Sequence, residues 1–289
     1  GTTTMADNLN DVDVLGDRYG ILEDMGQATT VTNYYESDYY RQMLYLTRAW
    51  YLAGYIMKDM ATSSDGGETL MKAGNLFSYA TLVKPNTEQE KENATGYDLT
   101  VVQLEQGVKR SSGTNGITYG IAGGSKDPAR AMELLNWIYK TEEANDLLNW
   151  GVEGVDWVET EDGTLDYPEG ITADSCAYHQ NYGWAQINQF NSHVWTGTPV
   201  DIWDQYETFN DAGTVSVAYG FMPDLTEYSN ELSALKSVVD EYSLQLSTGA
   251  ADPDELLDEF NAKLYEAGLQ TVMDAKQEQL DAWLAEKGA

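Results

Sequence analysis

Cysteine, histidine and basic side chains are all scarce in this 289-residue chain. The lone cysteine, Cys176, can close no intrachain disulfide and supplies no thiolate cluster for a metal. The two histidines, His179 and His193, make no HExxH spacing. Only 16 Lys and Arg stand against 48 Asp and Glu, a formal net charge of −32. A field of that sign repels phosphate backbones, which excludes nucleic acid as a partner, and it opposes adsorption on anionic lipid. No apolar run approaches the roughly 20 residues a membrane-crossing helix needs, so no direct membrane insertion is expected. The opening GTTTMADNLN has neither the basic nor the apolar region of a signal peptide.

What remains is a chain built to fold. Hydrophobic residues make up 42%, which argues against disorder despite the charge, and the length suffices for one large domain or two modest ones. Aromatics with a polar handle dominate: 20 Tyr and 8 Trp against 5 Phe. That balance suits surfaces that are partly wet, and it fits either an aromatic-rich exterior or stacking platforms for a polar ligand.

Periodicity and punctuation give the elements. A loose leader covers the first seven residues, and Asp11–Leu15 reads as a short strand. A helix is expected from Ser37, its N-cap, to Ala53, with Gly54 as the stop. Asp65 and Glu68 have capping-box spacing ahead of a short helix that ends at Gly74. Leu76–Ala80, Leu99–Leu104 and Ile117–Ile121 read as strands. Asp127 and Pro128 open a helix running to about Trp150, with Ala131, Leu134, Leu135, Ile138 and Tyr139 on its inner face. Val155–Val158 and Thr164–Tyr167 flank Glu161-Asp162-Gly163 as a hairpin whose acidic tip is turn chemistry rather than a calcium loop. The C-terminal part reads as helices, interrupted at Thr248-Gly249 and at Gly268.

Reacting groups are hard to find. There is no GxSxG elbow, Walker loop or GxGxxG, and Cys176 near His179 does not amount to a nucleophile and its base. Among so many acids some carboxylate pair always occurs, so a glycosidase reading has no specificity. The chain reads as a binder that needs no metal or cofactor, and not as an enzyme.

The order of several segments adds a resemblance. Tyr39-Tyr40-Arg41 through Trp50–Ile56 with Lys58-Asp59, the Thr62–Asp65 turn, and Lys72-Ala73-Gly74 come first. Ala131–Asn136 through Leu148–Gly154 follows, then Ala267-Gly268-Leu269 and Gln279–Leu284. Together they resemble the C-terminal portion of bacterial extracellular solute-binding proteins of ABC importers, family 1-like, in the LipO-type lipoprotein branch. The resemblance implies an α/β, periplasmic-binding-protein-like type II clamp with ligand between two lobes. Residues 1–112 would begin the second lobe, 113–219 would be the returning segment of the first lobe with its hinge strands, and 220–289 would complete the second lobe. It further implies a sugar ligand, often an oligosaccharide, with peptide as the alternative, and a membrane permease as partner. The location implied is the outside of the cell, held by a lipid anchor that this chain does not carry.

A sugar presents hydroxyls and a weakly apolar ring face, which proteins meet with Trp or Tyr platforms and with amides or carboxylates. Tyr182, Trp184, Asn188, Gln189, Trp195 and Trp203 supply both kinds within one segment. By family position Glu153, Asp156 and Trp157 join them, with Tyr79 from the second lobe. A two-carboxylate glycoside hydrolase and an adhesion module are the competing classes.

Overall fold

The structure, a computed structural model, describes residues 11–114, 117–180 and 182–288. The leader read in the first seven residues lies outside them. After an irregular helical turn at Glu23–Gly26, the helices in chain order are α1 Asp38–Ala53, α2 Gly67–Lys72, α3 Thr87–Thr95, α4 Pro128–Lys140, α5 Glu142–Asn149, α6 Gly183–Gln186, α7 Ile202–Asp211, α8 Ser229–Ser247, α9 Pro253–Glu266 and α10 Leu269–Lys287. The strands are β1 Val108–Lys109, β2 Val158–Glu159, β3 Leu165–Asp166 and β4 Thr214–Val215. The chain divides into two compact units, Gly1–Thr114 with Asn210–Ala289, and Asn115–Phe209.

The first unit is organised by helix faces. The Ser37 hydroxyl accepts from Tyr40 N at 3.1 Å and Gly54 closes α1 in the left-handed region, at φ +81°, as expected of a cap and a stop. α1, α8, α9 and α10 bury Leu44, Leu235, Leu246, Leu257, Phe260, Leu264, Val272 and Leu280 in one core. Tyr34, Tyr35 and Tyr40 join Phe260 there through edge-on ring contacts near 5 Å. Asp252 caps α9 by accepting from Asp254 N at 3.1 Å, with Pro253 in the first turn. A polar seam runs through this core: Asn33 Nδ2 donates to Asn261 Oδ1 at 2.9 Å, and the buried Lys276 Nζ reaches Asp17 Oδ1 at 2.6 Å.

β1 and β4 pair in parallel, Val108 with Thr214 and Lys109 with Val215. Beside them Asp13 is fully buried, and its carboxylate accepts from Leu15 N, Ser111 N and Ser111 Oγ. Asp11–Leu15 contributes an isolated bridge, Asp13 to Leu22, rather than a strand. Leu76–Ala80 and Leu99–Leu104 form no strand either. Their alternation finds no ladder: Phe77, Val102 and Leu104 stay exposed. α2 starts from Gly66 with no side-chain cap, so Asp65 does not act as the capping residue.

In the second unit the hairpin forms as expected, β2 antiparallel to β3 with Val158 opposite Asp166. Its turn is closed by Gly163 at φ +80° and by Asp162 Oδ1, which accepts from Thr160 Oγ1, Thr164 Oγ1 and Thr164 N. Those bonds hold the Asp162 carboxyl below its usual value. The long helix expected from Pro128 to Trp150 is two helices. Asp127 caps α4 through Arg130 N at 2.9 Å, but Thr141 takes extended backbone, ends α4 and caps α5 through Ala144 N. Competition from the Thr hydroxyl for that N–H is the physical reason for the break. The apolar face of α4 is not an inner face: α4 buries none of its residues, and Leu134 is 55% exposed. Ile117–Ile121 is likewise no buried strand; Ile117 and Tyr119 are exposed, and Tyr119 makes an edge contact with Tyr139 of α4.

Candidate functional site

α5 is the element that positions the aromatic segment of the second unit. Its polar residues Asn145, Asp146 and Asn149 are buried, an arrangement stable only if each finds partners. Asn149 Oδ1 accepts from Gly183 N at 3.1 Å and Asn149 O from Gln180 N at 2.9 Å, while Leu148 O takes the Tyr178 hydroxyl at 2.7 Å. Asp146 Oδ1 accepts from Ser192 Oγ and His193 N, at 3.0 and 2.9 Å. Just past the helix, Trp150 Nε1 lies 3.0 Å from Ser192 Oγ and 3.1 Å from His193 O.

These bonds sort the expected site residues into two groups. Tyr182 just before α6 and Trp184 on it are both exposed, Trp184 to 66%, with their rings 6.4 Å apart and edge-on. Asn188 and Gln189 follow, half-buried, at the start of a single 3-10 turn whose Asn191 N donates to Asn188 O at 2.9 Å. Glu153 is exposed on the loop after α5, where it bridges to Trp157. These side chains offer ring faces, amides and a carboxylate to solvent.

The others are engaged in packing. Trp195 runs beside β3, with Thr196 N donating to Leu165 O at 2.7 Å, and its ring meets Tyr167, His179 and Trp150 at 4.7, 4.3 and 5.2 Å. Asp156 is buried, and its Oδ2 accepts from Val152 N at 2.9 Å. Trp157 Nε1 donates to Gly151 O at 3.0 Å, and Trp203 Nε1 to Ser192 O at 2.9 Å. Tyr79 belongs to the first unit, where its ring packs over Gly67 at the start of α2.

Two histidines differ in their surroundings. His179 sits among Trp150, Tyr167 and Trp195, and burial pushes its imidazole below the ordinary value. Burial alone would lower His193 too, but the Asp146 hydrogen bond and charge, with Glu142 and Glu159 nearby, carry it upward. His193 lines a cavity of about 420 Å³ with Glu142, Asp162, Phe190 and Trp203. Among the described residues, Glu142, Asp146 and His193 are the group able to present ligand atoms to one cation. Cys176 Sγ points to the carbonyls of Tyr178 and Asp156, at 3.3 and 3.7 Å, rather than to His179.

Sequence reasoning missed Asp146 and Asn149. The signal was present as three polar side chains, Asn145, Asp146 and Asn149, at one-turn spacing in an otherwise amphipathic helix.

Comparisons with known proteins agree on the fold. Residues 217–285 match a family described as a domain of unknown function, DUF3502. A carbohydrate ABC transporter substrate-binding protein of Streptococcus pneumoniae is 26% identical over 267 residues, 91% of this chain and 53% of its own length. The N-glycan transport solute binding protein NgtS of Streptococcus pneumoniae superposes with a TM-score of 0.80 at 22% identity, over 96% of this chain and 62% of that one. The HMO binding ABC-transporter associated solute binding protein of Bifidobacterium longum infantis gives 0.56 at 18% identity, over 90% of this chain and 57% of that one. The chain thus spans about half the length of the curated relative it matches. It has the fold of a portion of the type II solute-binding proteins of ABC importers, as the sequence resemblance implied.

Proposed function

We propose that this chain is part of the substrate-binding component of an ABC importer, and that it captures an oligosaccharide between two lobes without chemically altering it. The observation that carries this is the 267-residue similarity to a protein named for carbohydrate ABC transport. In this reading the two compact units belong to the two lobes, the second unit being the returning segment of the first lobe. A membrane permease receives the ligand, and the whole protein works outside the cell on a lipid anchor. No described helix is long and apolar enough to cross a membrane.

Tyr182 and Trp184 would stack on sugar rings, with Asn188, Gln189 and Glu153 bonding hydroxyls. Trp195, Trp157, Trp203 and Asp156 would shape the wall behind them, and Tyr79 would act from the other lobe. Mass action gives the test: a ligand that binds the folded state alone raises its melting temperature. Short mannose and N-acetylglucosamine oligosaccharides, added to the full-length protein, should give a concentration-dependent shift. Trp184→Ala should weaken binding about tenfold or more, as for loss of a stacking anchor. A glycan panel without effect, alongside a shift with peptides, would overturn the carbohydrate reading.

A further inference from the structure

His193 lies with its Nδ1 2.6 Å from Asp146 Oδ2. That carboxylate is buried and is itself fixed by Ser192 Oγ and His193 N, so the imidazole is held at one nitrogen by a rigid partner. In the neutral imidazole the bond to Asp146 favours the tautomer with the proton on Nδ1, which leaves the Nε2 lone pair for an ion that takes the place of the second proton. The Glu142 carboxylate is 3.9 Å from Nε2, beyond hydrogen-bond reach, and its side chain is 67% exposed. Both groups open onto the cavity of about 420 Å³ that also meets Asp162 and Trp203. A carboxylate behind a histidine whose other nitrogen faces a second ligand is the arrangement that orients imidazole toward a metal.

We propose that His193 Nε2 and Glu142 bind a divalent transition ion of the zinc class, with Asp146 as the positioning residue and water completing the sphere. Zn–N and Zn–O bonds of about 2.1 Å put two ligand atoms about 3.4 Å apart on a tetrahedral ion. The observed separation therefore closes with a few tenths of an ångström of motion by the solvent-facing Glu142. An imidazole ligand selects such ions over calcium or magnesium, which take oxygen sets. Bound metal would fasten the 188–203 segment, with Asn188, Gln189, Trp195 and Trp203, to the first turn of α5. The site stands apart from the carbohydrate reading, since none of its ligands is among the residues assigned to sugar.

The probe is ZnCl2, titrated calorimetrically into the metal-stripped protein, with CaCl2 as control. One site of micromolar affinity is expected, with a change in tryptophan emission because Trp150 and Trp203 both bond to Ser192 beside the ligand. Glu142→Gln leaves the Asp146–His193 bond intact and should weaken zinc at least tenfold with an unchanged circular dichroism spectrum. His193→Gln should weaken it as much or more, and Asp146→Asn should give an intermediate loss. No zinc heat, or zinc binding that both Glu142→Gln and His193→Gln leave unaltered, would overturn the proposal, as would calcium binding equally well.

Discussion

Gly151 shows how much one position can constrain. Its φ is +97°, and a Cβ there would lie 2.4 Å from Asp156 Oδ2, the carboxylate that closes the turn by accepting from Val152 N. Left-handed backbone and a blocked Cβ site each disfavour any side chain. Gly151→Ala is expected to destabilise the protein by at least about 2 kcal/mol, read as a lower urea midpoint. His179 is a second such point. Its folded value is lowered by burial, so its contribution is full above the ordinary histidine value and is lost as pH falls below it. The stability gap between wild type and His179→Gln should therefore shrink from about pH 7.5 to about pH 5.5. A gap independent of pH would show that the imidazole is not held neutral by its aromatic surroundings.

At the scale of elements, α4 and α8 carry similar sequence patterns and meet different fates. Both repeat apolar residues at helical spacing, yet α8 buries Leu235 and Leu246 completely, whereas Leu134 of α4 remains more than half exposed. Leu235→Ala should cost about 2–5 kcal/mol in urea unfolding, as for a filled core site. Leu134→Gln should change stability by no more than about 0.5 kcal/mol. Periodicity states that a face is apolar; it cannot state that another element covers it. The same reasoning explains the strands that did not form. Leu76–Ala80 and Leu99–Leu104 have the residue types of strands, but a strand exists only with a partner at hydrogen-bonding distance. The hairpin at Asp162 was legible because its turn, its cap-like carboxylate and both strands lie within a dozen residues.

For the molecule as a whole, the charge of −32 is the dominant field, since few basic side chains offset it. Self-repulsion of this size weakens the compact state and is screened by salt. Raising NaCl from about 20 mM to about 500 mM should lift the melting temperature, and an unchanged value would mean that the acidic side chains stand far enough apart in the fold for their repulsion to be small. Composition thus settled the sign and size of the net charge, because charge adds regardless of arrangement. Local sequence determined the caps at Ser37, Asp127 and Asp252, because each depends on an N–H two or three residues away. The order of motifs was enough to reveal the solute-binding fold. Tertiary structure alone decided which aromatic residues face solvent and which close on one another. Trp184 and Trp195 are eleven residues apart and chemically identical, but one stands on an exposed helix and the other is wedged between Tyr167 and His179. It also brought His193 to Asp146, 47 residues earlier, a contact that no local spacing encodes because it depends on how the loop folds back over α5.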